Sequence, residues 1–385
     1  MKILFLNYEY PPLGGGAGNA TQYLLQEYAK QPDLEVHLVT SSIDGSAHDE
    51  CIGGRVFVHS VPIGKNAENL HFQSQKDLLM YAWRGYAKAD ALLLEGGYDA
   101  IHAFFTVPCG YMALRLRKKH KVPYIVSLRG ADVPGFSERF MLLYSFLKPL
   151  IRQVWRESAR VIAVSLGMQR LAEETAPTQP MNVIPNGISV EDFVPSSGST
   201  DGKIRVISTS RLTPRKGLRF LIQALAEMKT RQGIDDIEAL LIGDGHERES
   251  LEDMAREMGV SNQVRFIGRV DHAELKSWYA QADIFILPSM NEGMSNAMLE
   301  ALASGLPLLV TRTGGADEVL EEGINGFALE MRSAEDIAEK LLRLRNDREL
   351  RTRMAVASRR KAEAMSWGNV AWQYVKVYGS VSQEK

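Results

Sequence analysis

IFILPSMNEGMSNAMLEALASGLPLLV, residues 284–310, holds a strand, a turn, a helix and a second strand in succession. The apolar run Ile284 to Leu287 stops at Pro288, and Ser295 or Asn296 can cap a helix carrying Glu300. A second apolar run, Pro307 to Val310, follows Gly305. Short apolar strands joined through a helix are the parts of a parallel βαβ unit.

Outward from this unit the same alternation recurs. Ile204–Ser208, Ala239–Ile242 and Val264–Phe266 precede it, and Ile3–Leu6, Val36–Thr40, Ala100–Phe104, Tyr124–Ser127, Val161–Val164 and Val183–Ile184 repeat it in the first half. Between the halves, Phe193 to Gly202 is rich in Ser, Gly and Pro, with little to bury. This divides the chain into a first α/β domain at 1–192, a linker at 193–202 and a second α/β domain at 203–365. The tail, 366–385, carries Trp367, Val370, Trp372, Tyr374, Val375 and Tyr378, which predict a docked terminal helix.

Composition excludes several classes. With 385 residues, 45 Lys plus Arg against 47 Asp plus Glu, and 45% hydrophobic residues, the chain reads as a globular protein of two or three domains. Its net charge of -2 argues against a nucleic-acid-binding chain. Cys51 and Cys109 cannot build a disulfide framework, which fits a reducing, cytoplasmic compartment. The start, MKILFLNYEYPP, reads as a buried strand rather than a targeting segment, and no run is apolar enough to span a membrane. Neither a D-x-D triplet nor a close pair of histidines offers a metal site, so no metal and no cofactor are expected.

Three stretches carry chemistry. Gly14 to Gly18 follows the first strand and opens a helix near Asn19, where backbone N–H groups can face an anion. Arg211, Arg215, Lys216 and Gly217 follow the first strand of the second domain, where loops at the carboxyl ends of parallel strands form ligand crevices. In 284–310, Glu292 lies in the turn and Glu300 up to about 12 Å further along the helix, with N–H donors between them. Acceptors at both ends and donors in the middle suit a ligand with hydroxyl groups flanking a diphosphate.

Together, E-G-x6-E at Glu292–Glu300, R-x4-K-G at Arg211–Gly217, V-I-P-N-G at Val183–Gly187 and the glycine loop resemble family four of the retaining glycosyltransferases. The resemblance spans the whole chain and implies the GT-B fold: two Rossmann-like domains facing an interdomain cleft, with the C-terminal helix returning to the N-terminal domain. It implies that Arg211 and Lys216 hold the donor diphosphate, that Glu300 takes the ribose hydroxyls, and that Glu292 takes those of the transferred sugar. Gly293, Met294, Ser295 and Asn296 would touch sugar and phosphate, and Arg269 would lie beside the base. Gly15 and Gly16 would close over the diphosphate.

One position departs from the pattern. Where relatives read H-G-x-D, this chain reads Arg129-Gly130-Ala131-Asp132, and an arginine is never a neutral base. Arg129, Asp132 and His102 are the acceptor-side candidates, Arg129 either as a reader of an anionic acceptor or as a loop-shaping partner of Asp132. Basic stretches at Arg115–Lys121 and at Lys148, Arg152, Arg156 and Arg160 would suit peripheral contact with the inner face of a membrane, or only a solvated helix face.

The expected function is metal-independent, retaining transfer of a hexosyl unit from a nucleoside diphosphate sugar, UDP-linked by preference, to a hydroxyl acceptor, lipid-linked or anionic, in cell-surface polysaccharide or glycolipid synthesis. Two other readings stand beside it: a sugar-nucleotide-binding protein without transfer activity, and a GT-B-fold nucleotide-sugar epimerase.

Overall fold

The computed structural model describes residues 1–65, 73–136, 141–199, 201–292 and 294–383. The chain forms two compact units, Met1–Gly187 with Trp367–Lys385, and Ile188–Ser366. In the first unit the strands are β1 (Lys2–Leu6), β2 (Glu35–Ser42), β3 (His48–Ile52), β4 (Val56–Pro62), β5 (Ala100–Phe104), β6 (Tyr124–Leu128), β7 (Arg160–Ala163) and β8 (Met181–Val183). Their order is β3-β4-β2-β1-β5-β6-β7-β8, and only β3 runs antiparallel to its neighbour. In the second unit, β9 (Ile204–Thr209), β10 (Ile237–Ile242), β11 (Val264–Gly268), β12 (Ile284–Leu287), β13 (Leu308–Thr311) and β14 (Gly326–Leu329) lie in the order β11-β10-β9-β12-β13-β14, every pair parallel.

Covered on both faces by helices, these strands are continuous apolar runs rather than alternating ones, and every residue of β5, β6, β10, β12 and β13 is buried. In each sheet the order reverses once, between β1 and β5 and between β9 and β12. Outside the carboxyl ends of strands at such a reversal, neighbouring loops diverge and leave a crevice.

The expected linker is corrected. Phe193 is 2% exposed in the core of the second unit with Ile188 and Val190, and the Ser196 N–H donates to the Ser304 carbonyl at 2.8 Å. Serine and glycine suggested a tether, but the N–H groups of Ser196 and Ser197 donate to Ser304 and Ala280, at the ends of the helices Asn296–Ala303 and His272–Ala280. The boundary falls at Gly187, where a Cβ would lie 2.7 Å from the Trp367 ring. The terminal helix, Trp367–Gln383, packs within the first unit through Val370, Tyr374, Tyr378 and Val381, while Trp372 is left largely exposed under the Lys376 ammonium. Among the described residues no helix is long and apolar enough to cross a membrane.

Candidate functional site

At the reversal in the second unit, the loop after β9 lies against the turn after β12. Gly217 has φ +67°, and a Cβ there would sit 2.1 Å from the Pro288 carbonyl oxygen, so only glycine lets the two backbones touch. The Met290 N–H donates to the Arg215 carbonyl at 2.8 Å, and the Thr311 hydroxyl donates to the Ser289 carbonyl. This seam brings Lys216 and Glu292 together: Nζ lies 2.5 Å from Oε1, which also accepts from Ser289 Oγ at 2.6 Å. Both side chains are nearly buried. Each is the other's counter-charge, which spacing along the sequence does not reveal. Arg211 is exposed and, with Thr213, Pro214, Arg215 and Lys216, lines an open recess of about 500 Å³.

Glu300 lies one helical stretch beyond, on Asn296–Ala303, and is buried. Burial pushes its carboxyl up to about 7, against a lowering hydrogen bond from the Tyr279 hydroxyl at 3.0 Å. Tyr279 also meets Thr209 Oγ1 at 2.5 Å, which ties the carboxylate to the end of β9. Tyr279 was missed in the sequence: an aromatic within a helix reads as core, and nothing in its spacing marks the hydroxyl. Ser295 is the N-cap, but its side chain makes no capping bond. Met294 rests on Gly315, where a Cβ would come within 2.7 Å of its methyl. Asn296 is exposed, whereas Gly293 lies outside the described residues. Arg269 is exposed after β11, two strands from β9 and thus apart from the Lys216–Glu292 pair.

In the first unit the glycine loop follows β1, and the helix begins at Gly16 rather than near Asn19. The Gly15 N–H donates to Glu9 Oε2 at 3.3 Å, so the chain's own carboxylate faces this helix start. Gly18 is held to glycine by the Leu13 carbonyl, 2.8 Å from where a Cβ would be.

Two acceptor-side candidates are corrected. His102 is fully buried, with Nδ1 2.7 Å from the Tyr378 hydroxyl, Nε2 2.8 Å from Ser127 Oγ, and its ring stacked on Phe5. Burial, and then the nearby Arg129 charge, push it down to about 3, so it is a neutral structural group with no open edge. Asp132 is also buried: Oδ1 accepts from the N–H of Arg129 at 2.9 Å and of Gly130 at 3.1 Å, and Oδ2 from the N–H and hydroxyl of Thr106 at 2.8 and 3.0 Å. Its carboxylate shapes the loop through backbone groups. The Arg129 guanidinium goes elsewhere, donating to Asn186 Oδ1 at 2.6 Å and lying 4.3 Å over the Phe104 ring.

Among the described residues no three His, Cys, Asp or Glu side chains converge as metal ligands. Residues 14–192 match the family model of Glycosyltransferase Family 4, and residues 189–361 match that of Glycosyl transferases group 1. An uncharacterized glycosyltransferase of Methanocaldococcus jannaschii is 25% identical over 99% of both chains. The GDP-mannose-dependent alpha-(1-6)-phosphatidylinositol monomannoside mannosyltransferase of Mycobacterium tuberculosis is 28% identical over 74% of each. Among solved structures, the Anabaena protein Alr3699/HepE in complex with UDP superposes with a TM-score of 0.75 at 19% identity, covering 99% of this chain and 100% of that one.

Proposed function

As a chain that belongs to the GT-B glycosyltransferases of family 4 and group 1, this protein is a transferase, and we propose that it moves a hexosyl unit from UDP-sugar to a hydroxyl acceptor with retention. The observation that carries the reading is the seam at β9 and β12, which pairs Lys216 with the carboxylate of Glu292, while Arg211 and Lys216 line one recess and Glu300 is buried on the helix that follows. Arg211 and Lys216 take the diphosphate and stabilise the charge that grows on it as the glycosidic bond breaks. The donor's phosphates replace Glu292 as the partner of Lys216, freeing that carboxylate for the sugar hydroxyls. The departing phosphate oxygen accepts the acceptor's proton on the same face, so the protein's work is orientation and charge stabilisation. Arg129 stands on the acceptor side. The phosphatidylinositol mannoside substrate of the mycobacterial relative favours a glycolipid or cell-surface glycan product.

A thermal-shift screen against UDP, GDP, ADP and their sugars tests the donor, because a ligand of the folded state raises its apparent stability. A UDP-sugar giving the largest shift supports the reading, and a GDP-sugar doing so overturns the base assignment. Retention is checked by the anomeric configuration of the product. With cations in the metal's place, turnover is expected to be unchanged by EDTA; loss on chelation with recovery on adding magnesium or manganese would contradict this.

Glu300 adds a pH signature. Its folded pKa of about 7 lies above the unfolded value, so the folded state holds an extra proton from about pH 4.5 to 7, and this stabilising contribution is lost as pH rises through 7. Ribose hydroxyls donate to the ionised form, so binding expels that proton. Affinity for the donor is therefore expected to rise about tenfold between pH 6 and pH 8, from the ionised fraction alone. An intact nucleoside diphosphate sugar has no phosphate ionisation in that window, so calorimetry with UDP-glucose isolates the effect. A flat profile in Glu300→Gln with a sloping wild type is the expected pair of results; parallel slopes would remove Glu300 from the nucleotide site.

A further inference from the structure

Arg129 is a half-buried cation whose partners carry no charge. Its guanidinium donates to Asn186 Oδ1 and lies on the face of Phe104. Among the described residues, the uncharged Tyr374 hydroxyl stands beside it, and Asp132 and Glu9 act on it only through their charge. Asp132, the obvious counter-ion, spends both oxygens on backbone groups and the Thr106 hydroxyl. A half-buried arginine usually draws in a carboxylate, because desolvating an unpaired charge is costly. Here the fold holds the fork rigid and leaves its charge unspent.

The restraint continues away from the site. A guanidinium has donors only, so toward Arg129 the Tyr374 oxygen can only accept, and the same hydroxyl lies 3.4 Å from Ser127 Oγ. Ser127 Oγ lies 2.8 Å from His102 Nε2, and His102 Nδ1 lies 2.7 Å from the Tyr378 hydroxyl. The Tyr378 and Tyr28 hydroxyls lie 2.9 Å apart. These contacts form one continuous buried polar chain. It joins the terminal helix, which supplies Tyr374 and Tyr378, to the loop after β6.

We infer that Asn186 and Tyr374 are positioning residues that hold Arg129 as an uncompensated cation for a carboxylate or phosphate on the acceptor. This rests on the glycosyltransferase reading for the word acceptor, but not for the anion site itself. It also gives the asparagine of V-I-P-N-G a task in this chain: an amide there orients the fork without cancelling it, which a carboxylate would do.

The test is Asn186→Asp, close to isosteric and charge-neutralising, in the full chain saturated with UDP. The Arg129 Nε–H resonance, assigned with Arg129→Lys, is followed by 15N NMR during titration with malonate, with inorganic phosphate, and with uncharged myo-inositol. In the wild type, malonate or phosphate should shift the resonance and myo-inositol should not. Asn186→Asp should weaken that response at least tenfold, and Tyr374→Phe should weaken it as well. A wild-type resonance indifferent to both anions, or an Asn186→Asp response equal to wild type, overturns the inference. If the anion response stands but no nucleotide sugar binds, the transferase reading falls and the anion site survives.

Discussion

Lys216→Ala is expected to lower kcat/KM for sugar transfer by at least about 10², or about 2.7 kcal/mol of transition-state stabilisation. Charge grows on the diphosphate as the bond to the sugar breaks, and an ammonium fixed beside it gains most at that moment. The ion pair with Glu292 sharpens the expectation, since alanine also leaves a nearly buried carboxylate with, among the described residues, only the Ser289 hydroxyl as donor. Removing one partner of a buried pair costs about 3–5 kcal/mol of stability, less here because both side chains keep some contact with solvent. A melting curve must therefore accompany the kinetics. The combined variant Lys216→Ala/Glu292→Gln separates the effects: it should recover most of the lost stability and none of the lost rate. Turnover near normal in a folded Lys216→Ala protein would take this lysine out of the reaction.

The features legible in the sequence were those enforced by local pattern. Strands such as Ile284–Leu287 and Ile3–Leu6 were visible because a sheet covered on both sides needs unbroken apolar runs. The β3–β4 hairpin went unread: His48–Ile52 is an exposed edge with no apolar signature, and only its partner strand holds it. Gly326–Leu329 was missed for a similar reason, being four residues whose register comes from β13. The linker misreading came from composition, which cannot report that Ser196 hydroxyl and amide groups bond the carbonyl ends of two helices. At the site, the residue types were readable but their pairing was not. Lys216 and Glu292 are 76 positions apart and meet because Gly217 lets one loop press on Pro288. His102 drew attention at a strand end, yet its fate depended on a tyrosine 276 residues away.

The two glutamates should fail in different ways, because they occupy different surroundings. Glu300 is buried against Tyr279, and replacing it with Gln removes the anion that two ribose hydroxyls would share, so UDP and UDP-sugar should weaken together, by about tenfold or more. Glu292 sits in the turn on Lys216, and Glu292→Gln should leave UDP binding unchanged or slightly tighter, since the lysine loses a competing partner for the phosphates. Its cost should fall on transfer, with kcat lowered about 10² if the sugar hydroxyls are held more tightly as the bond breaks. Calorimetry with UDP beside steady-state kinetics gives both quantities for each variant, and the ratio between variants is insensitive to a uniform loss of folded protein. Weaker UDP binding in Glu292→Gln than in Glu300→Gln would reverse the two roles. An equal loss in both would mean that the carboxylates act through the shared turn and helix rather than on opposite ends of the donor.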